Sequence, residues 1–174
     1  NPFFSAGPSP DLANSNEYAM YVSGTGLGMG DRDYYLLNDK ENKKVRDAYQ
    51  KLIVRQMMNA GYSKKDASRI CKNVMKIETA IADSTWTREE SRNIPAMYNP
   101  FTLEQLKQAY PETDWDTYFE KTMGIATPPV VIVLTPNTVK QGHNLMASLT
   151  DREIKDYYLW EYVSQAAGKL SDDF

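Results

Sequence analysis

Apolar residues recur at three- and four-residue steps along two long stretches of the chain, the spacing that places them on one face of a helix. The first stretch carries Val45, Ala48, Tyr49, Leu52, Ile53 and Ala60, and the second carries Ala67, Ile70, Cys71, Val74, Ile77 and Ile81. Gly61 is a natural stop for the first helix, and Ser63 with Asp66 is a capping start for the second. Because the connection between them is so short, the pattern predicts a long antiparallel helical hairpin that begins near Asn38 or Asp39.

Cap signals predict several shorter helices. Thr102, Thr113 and Thr150 are each followed three residues later by Gln, Asp or Glu, which is the spacing of a capping box. Pro136 follows a threonine and is typical of the first position of another helix. The last helix is predicted over residues 151–170, DREIKDYYLWEYVSQAAGKL.

Two segments have the composition of short strands. EYAMYV (residues 17–22) and VVIVL (residues 130–134) are rich in β-branched and aromatic residues. We expect the first of them to pair back onto Phe3 and Phe4. The predicted fold class is therefore mainly α: a helical domain with about six helices, a long helical hairpin and two or three short strands. We expect residues 1–174 to form a single domain.

Composition narrows the class of protein only a little. Hydrophobic residues make up 41% and charged residues 25% of the chain, which is ordinary for a globular protein. The apolar run at residues 130–134 is far shorter than the roughly 20 residues of a membrane span, so we expect no transmembrane segment here. The single cysteine, Cys71, excludes a disulfide within the chain, and its place in an apolar stripe indicates an inert, buried thiol.

Charge is unevenly distributed along the chain. Residues 40–76 contain eleven Lys or Arg and three Asp or Glu, although the whole chain has a net charge of −3. The solvent-exposed faces of two helices account for this block. The alternative is an autonomous helical interaction module that binds an anionic partner through the 40–76 hairpin, with an affinity that falls steeply as salt is added.

The stretch SGTGLGMGDRDYYL (residues 23–36) places four glycines at alternate positions. A dinucleotide fingerprint would require glycine where Asp31 or Met29 stands, and a phosphate-binding P-loop would require a lysine that is missing. An EF-hand would require a ligand where Tyr35 stands. These motifs fail position by position, so we expect no nucleic-acid partner and interpret the stretch as a winding connector between a strand and a helix.

Several spaced motifs resemble those of the neprilysin-like zinc metalloendopeptidases, the M13 family that includes neprilysin, endothelin-converting enzyme and bacterial PepO. GLGMGDRDYYL is similar to the family's G-L-G-L-P-D-R-D-Y-Y-L segment, and VMKIETAIADSTWTREESRN to its helix with an I-E-x-x-I-A pattern. MYNPFTLEQL resembles its Y-N-x-M-T-L-x-x-L signature. VVIVLTPN and LTDREIKDYYLWEYVSQAAGKLS follow in the family's order, so the resemblance covers about 150 residues.

The resemblance implies that this chain is a part of the N-terminal, mostly helical lid domain, which caps a catalytic domain and restricts substrates to peptides. In the family, zinc is held by an H-E-x-x-H helix and a later Glu in the catalytic half. This chain has one histidine, His143, which we expect to be a surface or helix-packing residue. We therefore expect no catalytic or metal-ligating residue and no cofactor in this chain, and zinc in the parent enzyme. The chain alone should be inactive, with the C-terminal catalytic domain of the same protein and peptide substrates as its partners.

The resemblance makes Gly26, Asp31 and Arg32 of the connector the candidates for lining the substrate cavity. The alternative is that Asp31 and Arg32 form a local ion pair that steadies the connector. Neprilysin has an arginine where this chain has Gly26, and the family commonly has proline where this chain has Gly30. The start at Asn1 and the end at Phe174 lead us to expect a piece of a longer protein. The scarcity of cysteine favours a bacterial-type member. For its location we expect the periplasm or the cell envelope, with the cytoplasm as the alternative.

Overall fold

The structure is a computed structural model that describes residues 1–167. Within these residues there are seven α-helices: α1 (Asp33–Leu36), α2 (Lys40–Asn59), α3 (Lys64–Ser84), α4 (Leu103–Ala109), α5 (Trp115–Thr117), α6 (Pro136–Ser148) and α7 (Asp151–Ala167). The same residues form four strands: β1 (Phe4–Pro10), β2 (Tyr18–Gly24), β3 (Asn99–Thr102) and β4 (Val130–Val133). The mainly α fold class is confirmed. None of the helices in residues 1–167 is long and apolar enough to cross a membrane.

The chain forms two compact units, each assembled from separate stretches. The first unit contains Asn1, Phe3–Thr25 and Ser84–Ser148. The second unit contains Pro2, Gly26–Asp83 and, among the residues that the structure describes, residues 149–167. The strands therefore all belong to the first unit, whereas the predicted helical hairpin and α7 belong to the second.

A four-stranded sheet in the order β1-β2-β4-β3 organises the first unit. β1 pairs with β2 in antiparallel register, so the strand folds back onto the start of the chain as expected. The predicted partners were wrong: Tyr18–Val22 lie opposite Ala6–Pro10, and Phe4 lies opposite Gly24. β2 pairs with β4 in parallel, and β3 runs antiparallel to β4 at the other edge. The sequence did not predict β3 because it is only four residues long and contains Pro100, a residue that strands tolerate at an edge.

The core of the first unit lies against one face of this sheet. Its members are buried apolar and aromatic side chains: Phe4, Val22, Leu106, Tyr110, Trp115, Phe119, Val131, Val133 and Val139. α4 begins with the predicted capping box, in which Thr102 and Gln105 bond each other's backbone N–H groups. α5 begins one residue later than predicted, since its N-cap is Asp114 and not Thr113. A π-helical turn, Tyr118–Met123, continues it to Gly124.

The helical hairpin is confirmed in the second unit. Asp39 caps α2 by accepting hydrogen bonds from the N–H groups of Glu41 and Asn42, and Gly61 takes the left-handed conformation that ends the helix, with φ +93°. Ser63 caps α3 by accepting from the N–H of Asp66. Each of these caps acts within three residues of sequence, which is why the pattern alone located both helices.

A buried carboxylate joins α7 to α3. Asp156 accepts hydrogen bonds from Arg69 Nε at 3.0 Å and Nη2 at 3.2 Å, and from Asn73 Nδ2 at 2.8 Å. The Asp156 side chain is only 1% exposed, so its charge is compensated by an ion pair and by an amide donor. α7 begins with the predicted capping box of Thr150 and Glu153. The last part of the predicted helix, residues 168–170, lies outside the described residues.

Candidate functional site

The connector (residues 26–32) is a closed turn followed by a helix start. The N–H of Gly30 donates to the carbonyl of Leu27 at 2.9 Å, and Gly30 has a φ of +80°. Proline cannot adopt a positive φ, so a proline at this position would require a different backbone. Asp31 Oδ1 then accepts from the N–H of Asp33 at 3.0 Å, where α1 begins.

Gly28 brings the connector against the side chains of two helices. A Cβ atom added there would lie 1.9 Å from Tyr49 Oη of α2 and 2.9 Å from Glu78 Oε1 of α3. Neither contact is possible for a real side chain, so only glycine fits at this position without movement of its neighbours. Two of the alternating glycines therefore have different physical reasons. Close packing requires glycine at Gly28, and a positive φ favours glycine at Gly30.

Glu78 is the centre of the hydrogen bonds under the connector. Its Oε2 accepts from the Tyr35 hydroxyl at 2.7 Å and its Oε1 accepts from the Tyr49 hydroxyl at 3.0 Å. The backbone N–H of Gly28 also donates to this carboxylate. The Tyr35 oxygen accepts from the N–H of Met29 at 3.0 Å, and the Tyr49 oxygen accepts from Trp160 Nε1 of α7 at 3.2 Å. Two adjacent residues of the connector are thus bound to one buried carboxylate, directly or through a tyrosine.

Burial sets the electrostatics of this cluster. Glu78 is 1% exposed, and desolvation raises the pKa of its carboxyl from 4.5 to about 7. The hydrogen bonds from Tyr35 and Tyr49 lower this pKa, and the negative charge of Glu161 on α7 raises it again. Burial likewise raises the pKa of both tyrosines, so their hydroxyls remain neutral donors at every physiological pH.

The structure places the three candidate cavity residues in this one connector. Gly26 is exposed, and a Cβ atom added there would meet nothing within 4 Å. Asp31 and Arg32 are half-buried, and Arg32 Nε is buried without a hydrogen-bond partner among residues 1–167.

Sequence analysis placed Tyr49 on the apolar face of the first hairpin helix, but it predicted no hydrogen bond for Glu78, Tyr49 or Trp160. One signal was present: Glu78 is a charged residue on the otherwise apolar face that carries Val74, Ile77 and Ile81. A carboxylate at such a position must be paired or hydrogen-bonded, but the pattern does not say by which partners.

His143 is a buried packing residue of α6 in the first unit. Its Nδ1 lies 2.8 Å from the carbonyl of Val139, and its Nε2 lies 2.9 Å from Thr113 Oγ1. A carbonyl oxygen only accepts, so Nδ1 carries the hydrogen and the Thr113 hydroxyl donates to Nε2. Burial lowers the pKa of the ring below 6.5, and the ring stacks on Phe4 at 5.1 Å. The expected helix-packing role is confirmed, and the predicted cap residue Thr113 is used to hold this ring.

An open groove of about 690 Å³ lies between the two helices of the hairpin. Val54, Met58 and Met75 supply apolar lining, and the polar side chains around them include the cations Lys51, Arg55 and Lys72. Within residues 1–167, no acidic side chain contributes to the lining. No group of three or more His, Cys, Asp or Glu side chains that could hold a metal ion occurs in residues 1–167.

A small mixed sheet, a long helical hairpin and a connector bound to a buried glutamate define this chain as a mainly α region. The chain matches the profile of Peptidase family M13 over residues 1–174, and it belongs to that family.

Relatives and solved structures agree with this membership. The chain is 31% identical to endothelin-converting enzyme 1 of Homo sapiens over 100% of its own length and 23% of that protein. It is 25% identical to neprilysin-3 of Drosophila melanogaster, over 94% of this chain and 22% of that one. The chain therefore spans about a quarter of the length of these relatives.

Among solved structures, the Mycobacterium tuberculosis zinc metalloprotease Zmp1 in its open state shares the fold with a TM-score of 0.87 at 23% identity. That match covers 99% of this chain and 27% of Zmp1. PepO from Lactobacillus rhamnosis matches with a TM-score of 0.77 at 18% identity, over 99% of this chain and 27% of PepO. At these identities the likeness concerns the fold alone.

Proposed function

We propose that this chain is a non-catalytic lid portion of a zinc metalloendopeptidase of family M13, which restricts the access of peptides to the active-site cavity. The observation that carries the proposal is the family match along the whole chain, to proteins of which the chain covers about a quarter. The remaining three quarters of such a protein would supply the catalytic domain.

The ligands that a zinc site requires support a non-catalytic role for this chain, with the catalytic residues in the rest of the enzyme. A zinc site of the H-E-x-x-H type needs two imidazoles one helical turn apart and a further carboxylate. The one histidine here, His143, uses both ring nitrogens to bond Val139 and Thr113. Bound zinc would polarise the scissile carbonyl and activate water, and its ligands would come from the catalytic domain.

The groove of the hairpin supports a packing role. Met58 is 44% exposed although it is a large apolar side chain, and with Val54 and Met75 it offers apolar area to a partner. We propose that the remaining part of the same polypeptide covers this groove. Its contact surface would be apolar with carboxylates at the margins, because Lys51, Arg55 and Lys72 lie in the lining. A second copy of this chain would bring these cations together and is disfavoured.

The connector is our candidate for the part of the lid that faces substrate. Asp31 and Arg32 carry its charged side chains, and Gly26 adds backbone without a side chain. A peptide that passes this surface would meet one carboxylate and one guanidinium at adjacent positions.

The test uses the complete peptidase that contains this chain. Met58→Asp places a charge in the groove, and we expect the variant to cleave longer or partly folded substrates that the unmodified enzyme excludes. Val45→Asp is the matched control, because Val45 is a 37% exposed apolar residue of the same helix outside the groove. Both variants are assayed on a series of peptides of increasing length.

Two results would overturn the proposal. One is an unchanged size limit in Met58→Asp together with an unchanged stability of the complete enzyme. The other is a purified 174-residue chain that takes up stoichiometric zinc and hydrolyses a peptide by itself.

A further inference from the structure

The hydrogens around Glu78 can be assigned from the partners of each atom. Trp160 Nε1 and the Met29 N–H are donors only, so the oxygens of Tyr49 and Tyr35 accept from them. Each tyrosine hydroxyl hydrogen is then free to point at Glu78, at 3.0 Å and 2.7 Å. With the Gly28 N–H, three donors converge on one carboxyl group.

This arrangement fits the ionised carboxylate, which is an acceptor only. A protonated carboxyl brings a fourth hydrogen, which needs an acceptor. The two tyrosine oxygens already accept one hydrogen bond each and donate towards Glu78. Protonation therefore obliges one tyrosine hydroxyl to turn away from the carboxyl, or obliges the Gly28 N–H to leave it. Loss of the Gly28 N–H bond changes the connector directly, and a turn of the Tyr35 hydroxyl reorients the oxygen that accepts from the Met29 N–H. A turn of the Tyr49 hydroxyl would leave the connector bonds in place.

The hydrogen bonds favour the ionised form of Glu78, whereas burial favours its protonated form. The carboxyl is enclosed by side chains from α1, α2, α3 and α7, and desolvation favours its neutral form. The titratable groups that act on it are Tyr35, Tyr49, Cys71 and Glu161. The two tyrosines stay neutral, and burial with the charge of Glu78 raises the pKa of the Cys71 thiol to about 11. Burial also raises the pKa of the Glu161 carboxyl above its usual value, so Glu161 is the second carboxyl of the cluster whose titration is displaced.

We propose that Glu78 is the positioning residue of the connector and that its proton controls how the connector is held. When Glu78 is ionised, Gly28 and Met29 are both bound, one directly and the other through Tyr35. When Glu78 is protonated, one of the donors is released and the backbone at residues 28 and 29 changes its bonding. The connection to substrate access rests on the proposed function, because it requires that the connector lines the cavity.

The experiment is a pH titration of the isotope-labelled 174-residue chain by NMR, from pH 5 to pH 8.5. The Gly28 and Met29 amide signals and the Glu78 carboxyl carbon should move together with one midpoint near 7, where burial places the pKa of Glu78. In Glu78→Gln the two amide signals should lose the transition with a midpoint near 7. They should lie near their low-pH positions in the unmodified chain, because the amide group mimics a neutral carboxyl with a surplus donor.

A second variant keeps the test decisive if Glu78→Gln does not fold. Glu161→Gln retains the cluster and removes a negative charge, so the shared midpoint should move to lower pH. The proposal is overturned if the Glu78 carboxyl carbon titrates near 4.5, or if it titrates near 7 while the Gly28 and Met29 amides do not respond. This measurement needs no peptidase activity, so a negative result leaves the lid proposal standing. A failed substrate-length test leaves the titration unaffected.

Discussion

Gly28→Ala tests the packing under the connector directly. The new Cβ would lie 1.9 Å from Tyr49 Oη and 2.7 Å from its Cζ. Ordinary contact begins near 3.4 Å, so the tyrosine ring must move by about 1.5 Å. Gly26→Ala is the matched control, because it makes the same chemical change in the same connector and its Cβ meets nothing within 4 Å.

The expected cost of Gly28→Ala follows from what Tyr49 would lose. Moving its ring weakens the bonds to Glu78 and from Trp160, each worth about 1 kcal/mol, and overpacking of a buried site adds about 1–3 kcal/mol. Alanine restricts the unfolded chain more than glycine does, which raises the free energy of unfolding by about 0.5 kcal/mol. We therefore expect a net loss of about 2.5–4.5 kcal/mol in the free energy of unfolding. Gly26→Ala should change it by less than about 1 kcal/mol.

Urea unfolding at pH 7, followed by tryptophan fluorescence, measures both variants. Gly28→Ala should shift the midpoint downwards with an unchanged slope. In a Tyr49→Phe background the same substitution should cost less, since the oxygen at 1.9 Å is gone. Equal midpoints for Gly28→Ala and Gly26→Ala would refute the reasoning, and so would an equal cost with and without the Tyr49 hydroxyl.

Three further predictions concern stability. The pKa of Glu78 is raised from 4.5 to about 7, so between these pH values the folded state keeps a proton that the unfolded state loses. The free energy of unfolding should therefore fall by about 3 kcal/mol between pH 4.5 and pH 7, relative to that of Glu78→Gln. A difference between the two proteins in urea unfolding that does not change with pH would contradict this. The pKa of His143 is lowered, so its contribution to the free energy of unfolding is complete above pH 6.5 and is lost as the pH falls below that value. The NMR signals of its ring carbons should titrate with a midpoint below 6.5. Thr102→Ala should cost about 1 kcal/mol by removing the cap of α4, whereas Thr122→Ala, at an exposed position, should be neutral.

Local signals predicted most of the helices. Asp39, Ser63, Thr102 and Thr150 each bond a backbone N–H two or three residues further on, so the partners lie within the same short segment of sequence. The exception is Thr113, whose hydroxyl bonds His143, thirty residues away, while Asp114 takes the cap. Thr and Asp are both good N-cap residues. Asp114 is the cap because Thr113 bonds the ring of His143, which lies outside the local sequence of the helix.

The sequence therefore predicted the helix spacing, the caps and the apolar run of β4. Each of these depends on contacts within about four residues or on the residue pattern along one strand. The sheet order was not predicted, since β2 and β4 pair in parallel across more than 100 residues. Nor was the cluster under the connector, which joins Gly28, Tyr35, Tyr49, Glu78 and Trp160 from five separate segments. A buried carboxylate requires donors, but which ones reach it depends on how the helices pack, and that is a property of the folded chain.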